Sequence, residues 1–246
     1  MRIVYGINPV TEALRGKGVE RVVVASQRAD RAARNVIEAA RARKVEVARA
    51  SRDELTRLAG TSAHQGVVAV MSVEFAYADI EDLIAAWRSS GERALFLLLD
   101  SIQDPQNFGS LVRTAHAAGV HGIVIPKDRA SEVTPVVVKA SAGATEHTPI
   151  AREVNLVRAI ERFKRENVWV AGIEADSRQT IYEADLDRDL AIVVGSEGRG
   201  IRRLVRESCD FCLSIPMAGS INSMNAAQAG AVAMFEARRQ RLFRAG

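Results

Sequence analysis

Ala94-Leu95-Phe96-Leu97-Leu98-Leu99, closed by Asp100, is the run that decides the fold. It has no polar face. As a strand it needs cover on both sides, the environment of a parallel sheet flanked by helices. The pattern downstream of it alternates. It predicts a helix over residues 109–118, a strand over 122–125, a helical stretch over 135–142 and a helix over 155–166. Strands follow at 168–172 and 190–194, then a helix near 202–207, a strand at 211–215 and a long last helix over about 223–242. Such alternation describes an α/β domain with a mainly parallel sheet.

Upstream of the run, residues 80–87 are amphipathic and Ser89-Ser90-Gly91 breaks the pattern, so residues 74–92 read as a linker. In front of it, residues 19–25 read as a strand, 30–44 as a helix, 45–48 as a strand and 67–73 as another. Ser51 with Glu54 forms a capping box for a short helix ending near Gly60. The chain thus divides into a small α/β domain over 1–73, the linker, and a larger domain over 93–246.

Charge separates the same two parts. Residues 1–72 carry 13 Lys/Arg against 7 Asp/Glu, whereas the rest carries 21 against 23. The front part is therefore the one suited to a polyanion, with Arg28, Arg31, Arg34, Arg41, Arg43 and Lys44 around one helix. A solvated helix face is the plainer reading of the same residues. With 48% hydrophobic residues and no long apolar stretch, the sequence is expected to be cytoplasmic. Cys209 and Cys212 form a lone C-x-x-C inside an alternating strand pattern, and the four histidines have no ligand spacing, so no metal is expected.

Open α/β sheets bind ligands beyond the carboxyl ends of their strands. Three polar, glycine-containing stretches fall there: Asp104-Pro105-Gln106-Asn107-Phe108-Gly109-Ser110, leading to Arg113; Gly195-Ser196-Glu197-Gly198-Arg199-Gly200; and residues 215–225, from Ile215-Pro216-Met217 to Ser223-Met224-Asn225. The glycines of the second are spaced G-x-x-G-x-G, not the G-x-G-x-x-G of a dinucleotide fold, and no P-loop is present. As structural turns alone, all three stretches would bury polar side chains at a cost.

These stretches, in this order and at these separations, resemble the three motifs of the SpoU (TrmH-like) branch of the SPOUT RNA methyltransferases. Tyr5-Gly6-Ile7-Asn8-Pro9-Val10 and His64-Gln65-Gly66-Val67 resemble the L30e-like substrate-binding domain that precedes many members. The stretches 120–129 and 141–146 are similar to bacterial members that methylate a guanosine 2'-hydroxyl in the peptidyl-transferase loop of 23S rRNA.

The resemblance implies a C-terminal α/β-knot domain with a deep trefoil knot, an exception to the usual absence of threading. It implies S-adenosylmethionine held against Gly195, Ile215 and Met224, with Gly198, Pro216 and Met217 beside it. It implies a homodimer whose catalytic surface draws on both protomers. Arg113, Asn107, Glu197 and Asn225 are the candidate catalytic residues, and Arg199, Lys127, Arg129 and Ser223 the candidate RNA contacts. Glu197 orients Arg113 or Asn107, accepts a proton, or caps the following helix; Ser223 caps the last helix or meets RNA. Two departures stand out: Met224 where Leu is usual, and Asn222 where a small polar residue is common. A tRNA substrate, another rRNA ribose, or a non-catalytic ribosome-assembly role are the competing readings.

Overall fold

A computed structural model describes residues 2–28, 30–219 and 223–243. They form two compact units: residues up to 76 together with 132–147, and residues 77–131 together with those from 148 onward. The chain therefore crosses between units at three places.

In the first unit the elements run β1 (Arg2–Tyr5), α1 (Ile7–Arg15), β2 (Val19–Ala25), α2 (Arg31–Ala42), β3 (Glu46–Ala50), α3 (Arg52–Ala59) and β4 (Val67–Met71). The sheet order is β1-β4-β2-β3. β4 is antiparallel to both neighbours and β3 is parallel to β2. Side chains alternate across a strand, so the continuous apolar run of β4 serves two layers. Val67, Ala69 and Met71 join the core with Val10, Leu14, Val36 and Ala40 of α1 and α2. Val68 and Val70 face Leu55 of α3.

The helix ends follow local chemistry. Asp30 caps α2 by accepting from Ala33 N at 2.8 Å, and Ser51 and Glu54 form the expected box at α3, which ends at Gly60 with φ 69°. His64 is buried; its Nδ1 accepts from Gly66 N at 2.9 Å and its Nε2 meets Thr56 Oγ1 at 3.1 Å. The side-chain Oε1 of Gln65 accepts from Ile7 N and from Lys139 Nζ. The two front stretches matched above are thus brought together at the start of α1.

Residues 132–147 belong to this unit although they lie far along the chain. They carry α6 (Pro135–Ala140), numbered after the helices α4 (Ile80–Ser90) and α5 (Pro105–Ala118). Val138 joins the apolar core of the first unit. Arg2 pairs with Glu146, and His147 Nε2 meets Glu12 Oε2 at 2.8 Å.

The second unit adds β5 (Leu95–Asp100), β6 (Gly122–Pro126), β7 (Ile150–Glu153), α7 (Leu156–Arg165), β8 (Trp169–Ile173), β9 (Leu190–Gly195), α8 (Arg203–Ser208), β10 (Phe211–Leu213) and α9 (Ala226–Phe243). Its six strands, in the order β10-β8-β9-β5-β6-β7, are all parallel. Phe96 and Leu98 pack with Leu83, Ile84 and Trp87 of α4 and with Ile160 and Phe163 of α7. The Phe96 and Phe163 ring centres lie 4.5 Å apart. Leu95, Leu97 and Leu99 are fully buried on the opposite face, where α5 and α9 lie. A Cβ on Gly230 of α9 would sit 2.5 Å from Leu111 Cδ2 and 3.5 Å from Val194 Cγ2, so α9 packs closely against α5 and β9 at this position.

Several elements differ from the sequence reading. Residues 80–90, read as linker, are a helix that supplies the core of the second unit. The helix expected from residue 109 begins at Pro105, because Asp104 accepts from Asn107 N and Pro105 occupies the first turn, where its missing N–H costs nothing. β10 stops at Leu213, two residues early. β1, α1 and β7 were not anticipated.

Both cysteines are free. Burial pushes the Cys209 thiol up to about 12, which keeps it protonated and inert. Among the described residues no cluster of three or more His, Cys, Asp or Glu is placed to hold a metal, and no helix is long and apolar enough to cross a membrane.

Candidate active site

β10, β8 and β9 are adjacent, and a cleft of about 250 Å³ opens beyond their carboxyl ends. Gly195 closes β9, and the chain then folds back on itself. Ser196 N donates to Gly200 O at 3.1 Å and Gly200 N to Ser196 O at 2.9 Å, making a tight turn with Gly198 and Gly200 at positive φ. A Cβ on Gly195 would lie 2.1 Å from the Gly200 carbonyl carbon, which no rearrangement of side chains relieves. Glycine is therefore required there by close approach of backbone to backbone.

Of the expected cofactor residues, Gly195, Gly198, Ile215, Met217 and Met224 line this cleft, together with Glu197, Arg199 and Ser223. Met224, the departure from Leu, keeps an apolar wall there. Pro216 is exposed and does not line the cleft. Asn222, the other departure, lies outside the described residues. Ile173, the last residue of β8, and Glu174-Ala175-Asp176 directly after it also line the cleft, and the sequence reading does not single them out. Their only local signal is a pair of carboxylates directly after an apolar strand.

At the lip, Asn107, Glu197 and Asn225 come together from three different strand ends. Asn107 Nδ2 donates to Glu197 Oε1 at 2.7 Å, Asn225 Nδ2 donates to Asn107 Oδ1 at 2.9 Å, and Asn225 Nδ2 also reaches Glu197 Oε1. A carboxylate only accepts, so it fixes which end of each amide faces it. Asn225 Oδ1 is left to cap α9, accepting from Ala227 N at 2.8 Å and Gln228 N at 3.3 Å. The cap thus belongs to Asn225, not to Ser223.

Arg113 is not part of this network. It stands exposed on α5, with no hydrogen bond or ion pair among the described residues, and Glu197 is bonded to the two asparagines instead. Lys127 and Arg129 are exposed after β6 and also lie outside the cleft.

Chemically, the cleft combines apolar side chains with the carboxylates of Asp176 and Glu197, while that of Glu174 accepts from Ile201 N. Apolar walls suit a flat heterocycle, and carboxylates suit a cation such as a sulfonium or an ammonium. The residues present therefore fit S-adenosylmethionine.

Comparison with known proteins agrees. Residues 94–235 match the model of the SpoU rRNA Methylase family, and residues 3–73 match that of the RNA 2'-O ribose methyltransferase substrate-binding domain. The 23S rRNA (guanosine-2'-O-)-methyltransferase RlmB of Coxiella burnetii is 40% identical over 98% of this chain and 96% of its own. That of Escherichia coli K12 is 37% identical over 97% of this chain and 98% of its own. Among solved structures, the SpoU methyltransferase AviRb of Streptomyces viridochromogenes, in complex with AdoMet, has a TM-score of 0.80 at 26% identity, covering 98% of this chain and 90% of that one. The α/β-knot class implied by the resemblance, behind a small α/β domain, is the class of these neighbours. The chain belongs to the SpoU (TrmH) family of RNA 2'-O-ribose methyltransferases.

Proposed function

We propose that the protein methylates the ribose 2'-hydroxyl of a guanosine in 23S rRNA, using S-adenosylmethionine bound in the cleft beyond β10, β8 and β9. The observation that carries this reading is the closed Asn107–Glu197–Asn225 network at the lip of that cleft. It is supported by relatives named for this reaction over nearly the whole chain.

When bound, S-adenosylmethionine would supply an electrophilic methyl group to the ribose oxygen, the sulfonium S–CH3 bond giving way and the neutral thioether S-adenosylhomocysteine leaving. The protein's own task is alignment and management of the hydroxyl proton. Gly195, Gly198, Ile215, Met217 and Met224 form the seat. Asn107 and Asn225 brace the turn that carries Glu197, and Glu197 keeps its second oxygen, Oε2, for a ligand or a proton. The guanidinium of Arg113 offers donors and no acceptor, so it is not assigned the role of base. It binds a backbone phosphate bidentately and stabilises charge developing on the ribose oxygen.

Arg199, Ser223, Lys127 and Arg129 contact RNA, the last two as backbone contacts that position rather than specify. The working form is a homodimer, which gives the exposed Arg113 and the exposed Phe235, Leu242 and Phe243 of α9 a surface to meet. The front unit, net positive, grips an accessible non-helical element of the RNA.

Incubation with methyl-labelled S-adenosylmethionine and separate pools of undermethylated 23S rRNA and tRNA tests this. Label on one 23S guanosine ribose is expected. Label on tRNA alone overturns the substrate, and cofactor binding with no label on any RNA or ribosomal particle overturns the catalytic reading.

A further inference from the structure

β9 lies between β8 and β5; β5 ends on Asp100, which pairs with Gly195, and Glu174 directly follows Ile173, the last residue of β8, which pairs with Val194. From β5, Asp100, fully buried, accepts from Arg202 N and from Arg202 Nε, each at 2.7 Å. Just after β8, Glu174 Oε1 accepts from Ile201 N at 2.7 Å. The same carboxylate would sit 3.1 Å from a Cβ on Gly200. The turn over 196–200 is thus closed by its own backbone and tied on either side where it leaves. Glu174 differs from Asp100 in that it also lines the cleft.

We infer that Glu174 is a positioning residue for the cofactor: by accepting the Ile201 N–H it holds the 196–201 turn in the shape that S-adenosylmethionine binds. This rests on the cleft reading above. The role requires an acceptor oxygen at the right reach, and it does not require charge. A direct contact with a cationic ligand requires the charge instead.

Two conservative variants separate these requirements in the full chain. Glu174→Gln keeps a carbonyl oxygen at full reach and loses the charge. Glu174→Asp keeps the charge and withdraws it by one methylene. Loss of one hydrogen bond to a buried or constrained group is on the order of tenfold in affinity. Calorimetric binding of S-adenosylmethionine is therefore expected to weaken about tenfold in E174D and to stay within about twofold of the parent in E174Q.

In the cofactor-free protein, amide hydrogen exchange at Ile201 should accelerate in E174D and not in E174Q, while the KM for RNA stays unchanged in both. Binding that falls at least as far in E174Q as in E174D overturns the inference in favour of direct charge contact. Parent-like binding in both variants overturns it as well. Gly195→Ala serves as the control on the underlying reading: if binding survives it, the cofactor does not use this cleft, and both readings fall.

Discussion

Arg113 is the one expected catalytic side chain that the described residues leave without a protein partner, while Asn107, Glu197 and Asn225 satisfy one another. A long charged side chain standing free is poised to meet an incoming phosphate. Arg113→Lys keeps a positive charge and gives up the planar fork. Turnover is expected to fall about a hundredfold or more, the scale for losing one charge-stabilising donor, while RNA affinity falls only a few-fold. Single-turnover rates beside filter binding check this, and near-parental turnover in R113K would refute the bidentate role.

The three motif stretches were legible as polar, glycine-containing segments after apolar strands, and the roles of their residues came from the resemblance to the family. Glu174 was not legible. Nothing around it in sequence announces that it meets Ile201, 27 positions later, because that meeting is made by the pairing of β8 with β9.

At the level of elements, legibility followed periodicity. β4, β5 and β9 are unbroken apolar runs covered on both faces, and each was found. β7 reads Ile-Ala-Arg-Glu, too short and too mixed to show a period, and α1 opens on Ile-Asn-Pro, which argues for a turn until proline's tolerance in a first turn is considered. The linker was misread for another reason. The spacing of Ile80, Leu83, Ile84 and Trp87 was seen as amphipathic, but nothing local tells which core such a face will join.

The turn over 64–66 makes its own prediction. His64 is buried, and its Nδ1 is occupied as an acceptor, so burial holds its pKa below the ordinary 6.5. The unfolded chain therefore takes up the proton first as the pH falls. Stability owed to neutral His64 is complete above about 6.5 and drains away between that value and the lower folded one. Chemical unfolding of the parent and of His64→Gln at a series of pH values from 7 to about 4.5 should show a loss in the parent that the variant lacks. Parallel profiles would remove His64 as the cause.

On the scale of the whole molecule, the positive excess lies before residue 73, in the unit built on β1 to β4, the part that matches the substrate-binding family model. The division of the chain is less simple than one boundary. Residues 132–147 sit in the first unit, with Val138 in its apolar core and Glu146 and Lys139 paired to Arg2 and Gln65.

A fragment comprising residues 77–246 would carry this segment without its partners. It is expected to aggregate at concentrations where the full chain stays dispersed, and replacing 132–147 by a glycine-serine loop should restore it. Size-exclusion chromatography of the two fragments is the check, and equal behaviour would count against the segment's role. The same excursion bears on how such proteins can be recombined. A front domain joined at a single junction can be swapped between genes as a cassette. Here a graft has to replace two separate stretches of coding sequence together, so the pair is inherited as one module.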